Sequence, residues 1–166
     1  MIKKQRKFKI FVYGNCQRGL SEHRMLKNAK YEGLDYINGW LMLDMGGMAM
    51  VIKPRSKMIK PNIVVEVYTI MESEIFKFDS YYKCPKNMTR ELVKSGRGVL
   101  GILYFAEEHK SAIKGRGYGV PNGDWQTYQK KKEKKEKRRK ERREEEDKTP
   151  APREEVNLNN QNILQN

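Results

Sequence analysis

The run KKKEKKEKRRKERREEEDK, Lys130 to Lys148, contains no apolar residue. A segment with nothing to bury adds nothing to a hydrophobic core, so the core has to come from the residues before it. Its residues are good helix formers. Lys and Glu recur at offsets of three and four, where opposite charges meet on a helix surface. The spacing predicts a charged, solvent-exposed helix over 129–148, marginally stable and sensitive to salt. Beyond it, TPAPREEVNLNNQNILQN is rich in Pro, Asn and Gln and reads as a disordered tail over 149–166. The fold is left to residues 1–128, a length that suits one domain.

That segment is itself basic, with 22 Lys and Arg against 12 Asp and Glu. The whole chain carries a formal net charge of +14. Such a field attracts polyanions without regard to their sequence. It also keeps a protein soluble, and the two readings carry similar weight. Cys16 and Cys84 are the only cysteines, which gives neither a disulfide framework nor a zinc spacing. His23 and His109 are too far apart in sequence to suggest a metal pair. The apolar run IFVY near the N-terminus is too short for a signal peptide, and no run approaches the length of a membrane helix. The expectation is a soluble cytoplasmic protein with no membrane contact.

Within 1–128 the apolar pattern predicts many short strands. KIFVY, Lys9 to Tyr13, reads as a strand ended by Gly14, and PNIVVEVYTI, Pro61 to Ile70, is the clearest strand of all. Tyr31 to Gly47 reads as a hairpin or two strands, and AMVIK as another strand stopped by Pro54. RELVKSGRG and VLGILYFA pair as a hairpin around Gly96 and Gly98. Ser21 to Lys30 reads as a short helix with Ser21 as its N-cap. MESEIFKFDSYY reads as a helix running into a loop, with Glu72 and Glu74 at its positive end. GYGVPNGDWQTY, Gly117 to Tyr128, reads as irregular and turn-rich. The fold class is α+β, a small mixed β-barrel with short flanking helices plus the charged helix.

The stretch FVYGNCQRG, Phe11 to Gly19, narrows this further. Tyr13, Gly14 and Gly19 match the Tyr-Gly loop of the gamma-glutamylcyclotransferase superfamily, with Asn15 and Cys16 in place of its Thr and Leu. Other segments follow in the family's order. His23 falls just past the loop, where the family often has a His, DMGGMAMV resembles a Gly-rich segment, and VVEVY keeps Glu66 and Tyr68 of a strand. Phe78, Asp79, Cys84, Pro85 and Arg90 align with a later segment, ILYF with a strand that ends in Tyr, and NGDW with its closing Gly-Asp-Trp. Residues 8–128 therefore resemble that superfamily, most closely its gamma-glutamylamine cyclotransferase branch.

The resemblance implies a pocket floored by the Tyr-Gly loop, with Tyr13, Gly14, Asn15, Cys16, Gly19 and Glu66 as substrate-binding candidates. It implies that a gamma-glutamyl amine is cyclised to 5-oxoproline and free amine without any cofactor or metal. One Glu would deprotonate the α-ammonium and then protonate the leaving amine. That Glu lies three positions past the aligned Asp, and counting from Asp79 reaches Tyr82. A phenol with an ordinary pKa near 10 is a poor base at neutral pH. Met88 likewise falls where the family has a Tyr. Glu91 is the candidate substitute for the missing acid–base group, with Asp79 and Glu74 as others.

Two functions therefore stand side by side. One is a cyclotransferase whose activity is in doubt at Tyr82. The other is a catalytically silent relative that serves as a binding or scaffold module for nucleic acid or an acidic protein partner. Lys130 to Arg143 holds eleven basic residues and three Glu, with Lys130, Lys131, Lys134, Arg138 and Arg142 as the candidate phosphate contacts. KKQRKFK near the N-terminus adds five more positive charges. No aromatic is interleaved in the helix run, so contact there would be with backbone phosphate, without sequence preference. A purely solvated charged face is the plainer alternative.

Overall fold

Strand β1 (Lys7–Val12) begins in solvent and ends fully buried, because its sequence passes from KFK to IFV. The computed structural model describes residues 6–54, 61–107 and 117–148. The tail over 149–166, His109, and Lys3 and Lys4 of the basic N-terminus lie outside the described residues. β1 pairs antiparallel with β5 (Asn62–Met71) and parallel with β7 (Leu100–Phe105), with Ile10 opposite Tyr68 on one side and Ile102 on the other. β5 pairs on its far side with β2 (Lys30–Asn38), through a register shift between Tyr31 and Gly33. β6 (Thr89–Lys94) completes a five-stranded sheet in the order β2-β5-β1-β7-β6. A second sheet of three strands runs β4-β3-β8, from β3 (Leu41–Asp44), β4 (Ala49–Ile52) and β8 (Tyr118–Gly119).

The expected barrel is corrected by this topology: among the described residues no ladder closes on itself. The first sheet instead rolls until its edges touch at one point. The β6–β7 turn reaches β2, where the Gly96 N–H donates to the Tyr36 carbonyl at 2.8 Å and the Arg97 N–H to Asp35 Oδ1 at 3.3 Å. A parallel bridge, Ile52 to Ala106, links the two sheets. Their shared interior holds Phe11, Ile37, Met42, Ile63, Leu103 and Trp125, all fully buried. At about 25 cal/mol per Å² of apolar surface removed from water, such side chains are the chief stabilisers of the fold.

Helices are few. The segment after Gly19 forms only a 3₁₀ turn, His23–Leu26, and Ser21 does not cap it. Its apolar positions are too few to sustain a helix, since only Leu26 is fully buried before β2 begins. Tyr31 to Gly47 supplies two strands rather than a hairpin, because β2 and β3 belong to different sheets. A 3₁₀ turn, Glu72–Glu74, leads into α1 (Ile75–Tyr81), and the Met71 N–H donates to Glu74 Oε2 at 3.1 Å. α2 (Trp125–Lys148) begins within the segment read as irregular. The chain divides into two compact units at residue 130, Met1–Lys130 and Lys131–Asn166. In the first, Trp125 is wholly buried. The second has the exposed charged stretch of α2, with i,i+4 pairs Lys137–Glu141 and Arg142–Glu146. Among the described residues no helix is long and apolar enough to cross a membrane.

Candidate functional site

Where β1 ends, Tyr13 stays extended and Gly14 turns the chain sharply at φ +64°. A Cβ at Gly14 would lie 2.6 Å from that of Ala49, so both conformation and space demand glycine there. Gly14–Cys16 makes one 3₁₀ turn, and Gly19, at φ +79°, ends the loop. Below the loop sits Glu66 of β5, 1% exposed. Its carboxylate accepts the Arg18 N–H at 3.0 Å and the Tyr68 hydroxyl at 2.8 Å, and the Arg18 guanidinium stands 3.6 Å away. A buried carboxylate needs such partners. Burial, together with that bond and the Glu66 charge, pushes the Tyr68 phenol well above its usual range.

A cavity of about 480 Å³ opens beside the loop. Tyr13, Asn15 and Cys16 come from the loop itself. Met48, Ala49 and Met50 come from the β3–β4 hairpin. Tyr81, Tyr82, Lys83, Asn87 and Met88 come from the end of α1 and the segment after it. Its size falls in the range of small-ligand sites. Tyr82 presents its ring as part of an aromatic group. It stacks on Tyr104 at 4.7 Å and 20°, meets Tyr81 edge-on at 4.8 Å, and lies 6.2 Å from Tyr13. Its hydroxyl points to Cys16 Sγ at 3.9 Å. Burial drives the Tyr82 phenol well above its ordinary value, with Cys16 and Tyr13 adding to the effect. It also pushes the Cys16 thiol up to about 11. At neutral pH both are protonated.

Three of the substrate-binding candidates thus line the cavity: Tyr13, Asn15 and Cys16. Gly14 and Gly19 shape the loop, while Glu66 holds it from beneath and does not line the cavity. Asn15 has both ends engaged. Its Nδ2 donates to the Gly47 carbonyl at 3.1 Å, and its Oδ1 accepts the Trp125 indole N–H at 3.0 Å. His23 is half-buried, with Nδ1 3.2 Å from the Cys16 carbonyl.

The residues expected as substitute acid–base groups lie elsewhere. Glu91 is exposed on β6, an edge strand. Asp79 accepts the Tyr104 hydroxyl at 2.7 Å and the Arg90 guanidinium at 2.6 Å, and Glu74 binds Met71 and Lys77. None of the three lines the cavity. Arg18 lies over the Tyr31 ring at 3.7 Å and also stands outside it. Lys130, Lys131, Lys134, Arg138 and Arg142 are all exposed on α2.

Met48, Ala49, Met50, Tyr81, Lys83 and Asn87 are wall residues that sequence reasoning did not single out. For the hairpin a signal existed, because DMGGMAMV fell in the family's order as a Gly-rich segment. For Lys83, two residues past the end of α1 and at φ +50°, none did.

The comparisons with known proteins come from sequence and fold. A comparison with curated protein sequences gives no match. Among solved structures, an uncharacterized protein from Pyrococcus horikoshii is similar at a TM-score of 0.60 and 21% identity, over 76% of this chain and 96% of that one. An AIG2-like protein from Mus musculus is similar at 0.51 and 16% identity, over 65% and 81%. Kluyveromyces lactis allophanate hydrolase contains a similar region at 0.60 and 19% identity; the match covers 75% of this chain but only 21% of that enzyme. At these identities the likeness is one of fold. The family model described as "Gamma-glutamyl cyclotransferase, AIG2-like" matches residues 10–127, most of the chain, and the chain belongs to that family.

Proposed function

We propose that this chain is a small-molecule-binding member of the family that does not carry out the gamma-glutamyl cyclisation. The observation that carries the reading is the cavity wall. Among the described residues it includes no carboxylate, and by the sequence resemblance Tyr82 falls where the family's Glu is expected. Cyclisation needs a group that takes a proton from an ammonium and returns it to a leaving amine near neutral pH. Tyr82 and Cys16 hold their protons far too tightly for the first step. Loss of an acid–base group typically costs about 10²–10⁴ in rate.

The test is incubation of the purified full chain with gamma-glutamyl amines while 5-oxoproline is measured. The wild type is expected to release none, and Tyr82→Glu to gain release. Turnover by the wild type sinks the reading. In that case Glu91→Ala, Asp79→Ala and Glu74→Ala identify any substitute base.

A second reading concerns the Lys131–Lys148 part of α2. Its side chains are almost all exposed and mostly basic, which supports non-specific contact with nucleic acid backbone or an acidic protein surface. Affinity for a random-sequence duplex should fall steeply with salt and be lost on deletion of 130–148. Unchanged affinity after deletion removes the helix from the argument.

A further inference from the structure

The polar groups of the cavity divide by whether they are already engaged. The Tyr13 hydroxyl donates to the Tyr104 carbonyl at 2.8 Å. The Tyr82 hydroxyl faces Cys16, and both ends of the Asn15 amide are bonded. Tyr13 and Cys16 are buried, whereas Lys83 and Asn87 are exposed. Among the described residues the Lys83 ammonium has neither a hydrogen bond nor an ion pair. Its backbone is nonetheless fixed: the Lys83 N–H donates to Ser80 at 3.2 Å and its carbonyl accepts the Asn87 N–H at 2.8 Å. An exposed lysine with a fixed backbone thus lines the cavity.

The remaining wall is apolar and aromatic: Met48, Met50 and Met88 with the rings of Tyr81 and Tyr82. Thioethers adapt to flat aromatic surfaces, and tyrosine rings stack on them. A gamma-glutamyl head carries an ammonium as well as a carboxylate, and this wall has no carboxylate to accept the ammonium. We propose that the cavity takes an aromatic monoanion, with its flat body between the methionine and tyrosine walls and its single carboxylate on Lys83. This rests on the reading of the cavity as a binding site without the family's acid–base step.

The probes are 3-phenylpropionate and its neutral amide, 3-phenylpropionamide, titrated into the full chain. Binding is read from the methionine methyl NMR signals, assigned by Met→Leu replacement. In the wild type the signals of Met48, Met50 and Met88 should shift. The acid should bind roughly fivefold to tenfold more tightly than the amide, as a charge-assisted hydrogen bond at a partly exposed site allows. Lys83→Gln should bring the acid to the level of the amide, and Lys83→Arg should restore most of the difference. Lys83 is exposed, so neither change threatens the fold.

Equal binding of acid and amide to the wild type overturns the proposal. So does a preference that survives Lys83→Gln, or the absence of any shift in the three methyl signals. The same samples, supplied with a gamma-glutamyl amine and assayed for 5-oxoproline, separate the two failures. Turnover refutes the non-cyclising reading whatever the titration gives. Silence in that assay together with equal binding refutes only the aromatic monoanion.

Discussion

The side-chain amide of Asn15 is bonded in two directions, to the Gly47 carbonyl and to the indole of the wholly buried Trp125. Asn15→Ala strands the indole N–H in the core, and an unsatisfied buried donor costs about 1–3 kcal/mol. Urea unfolding of the variant should show a loss of that size, with an unchanged m-value. Cys16, one residue on, gives a pH prediction. Its folded-state pKa of about 11 lies above the ordinary thiol value of 9.0. Between those values the native state holds the proton that the unfolded state has released. Stability should therefore be intact below pH 9 and fall as pH rises towards 11. Denaturant midpoints across that window, compared with those of Cys16→Ala, check the sign. The roles of Asn15 and Glu66 were only half legible in the sequence. Asn15 falls in the loop and Glu66 in the strand VVEVY, but Trp125 and Arg18, which bond them, come from distant segments, and residue types alone do not announce such bonds.

Among the elements, β1, β5 and β2 are adjacent in the sheet, and one outward-facing cluster crosses all three. The Thr69 hydroxyl donates to Glu32 at 2.8 Å, and Lys9 and Lys30 pair with the same carboxylate at 3.1 and 3.4 Å. The Thr69 bond first, and the Lys9 bond next, hold the Glu32 carboxyl down to about 2. A depressed carboxyl contributes its share of stability above the ordinary value of 4.5 and loses it as pH falls towards 2. Glu32→Gln should flatten that part of the acid limb in a series of unfolding curves. The pairs are exposed, so added salt should shrink the difference.

The same scale explains what was readable. Short β-favouring runs bounded by turn residues, Pro61 before β5 and Gly96 and Gly98 between β6 and β7, were readable because such runs are a local property of the sequence. Strand order is not local: β1 joins β7 in parallel across some ninety residues, as Ile10 opposite Ile102 shows. The open sheet could not be told from a closed barrel on that basis. The short helix expected after Gly19 shrank to one turn for want of a buried face.

At the scale of the molecule, the core ends where the apolar residues end. Trp125 is the last fully buried side chain of the described residues. Replacement by Ala should cost about 3–5 kcal/mol, the range for a large aromatic removed from a core. Truncation after residue 130 should leave the first unit cooperative, since its bonds to Asn15, Arg18 and Asp44 involve only residues up to Tyr128. Thermal unfolding of Trp125→Ala and of the truncated chain tests both. A truncated chain without a cooperative transition would show that the following segment is needed for folding. The boundary was visible in the sequence because composition changes abruptly there, whereas the buried use of Trp125 follows from a contact no local pattern encodes.

Trp125 reaches back 110 positions to seal the loop that begins at Gly14. Chain emerging from a ribosome has every strand of the larger sheet in hand before it has the indole that bonds Asn15. Closure over so long a sequence interval is slow relative to hairpin formation. Newly made protein should therefore pass through a stage with its sheet formed and the Gly14–Gly19 loop not yet tied to Trp125, in which Cys16 reacts faster with alkylating agents than it does in the finished fold.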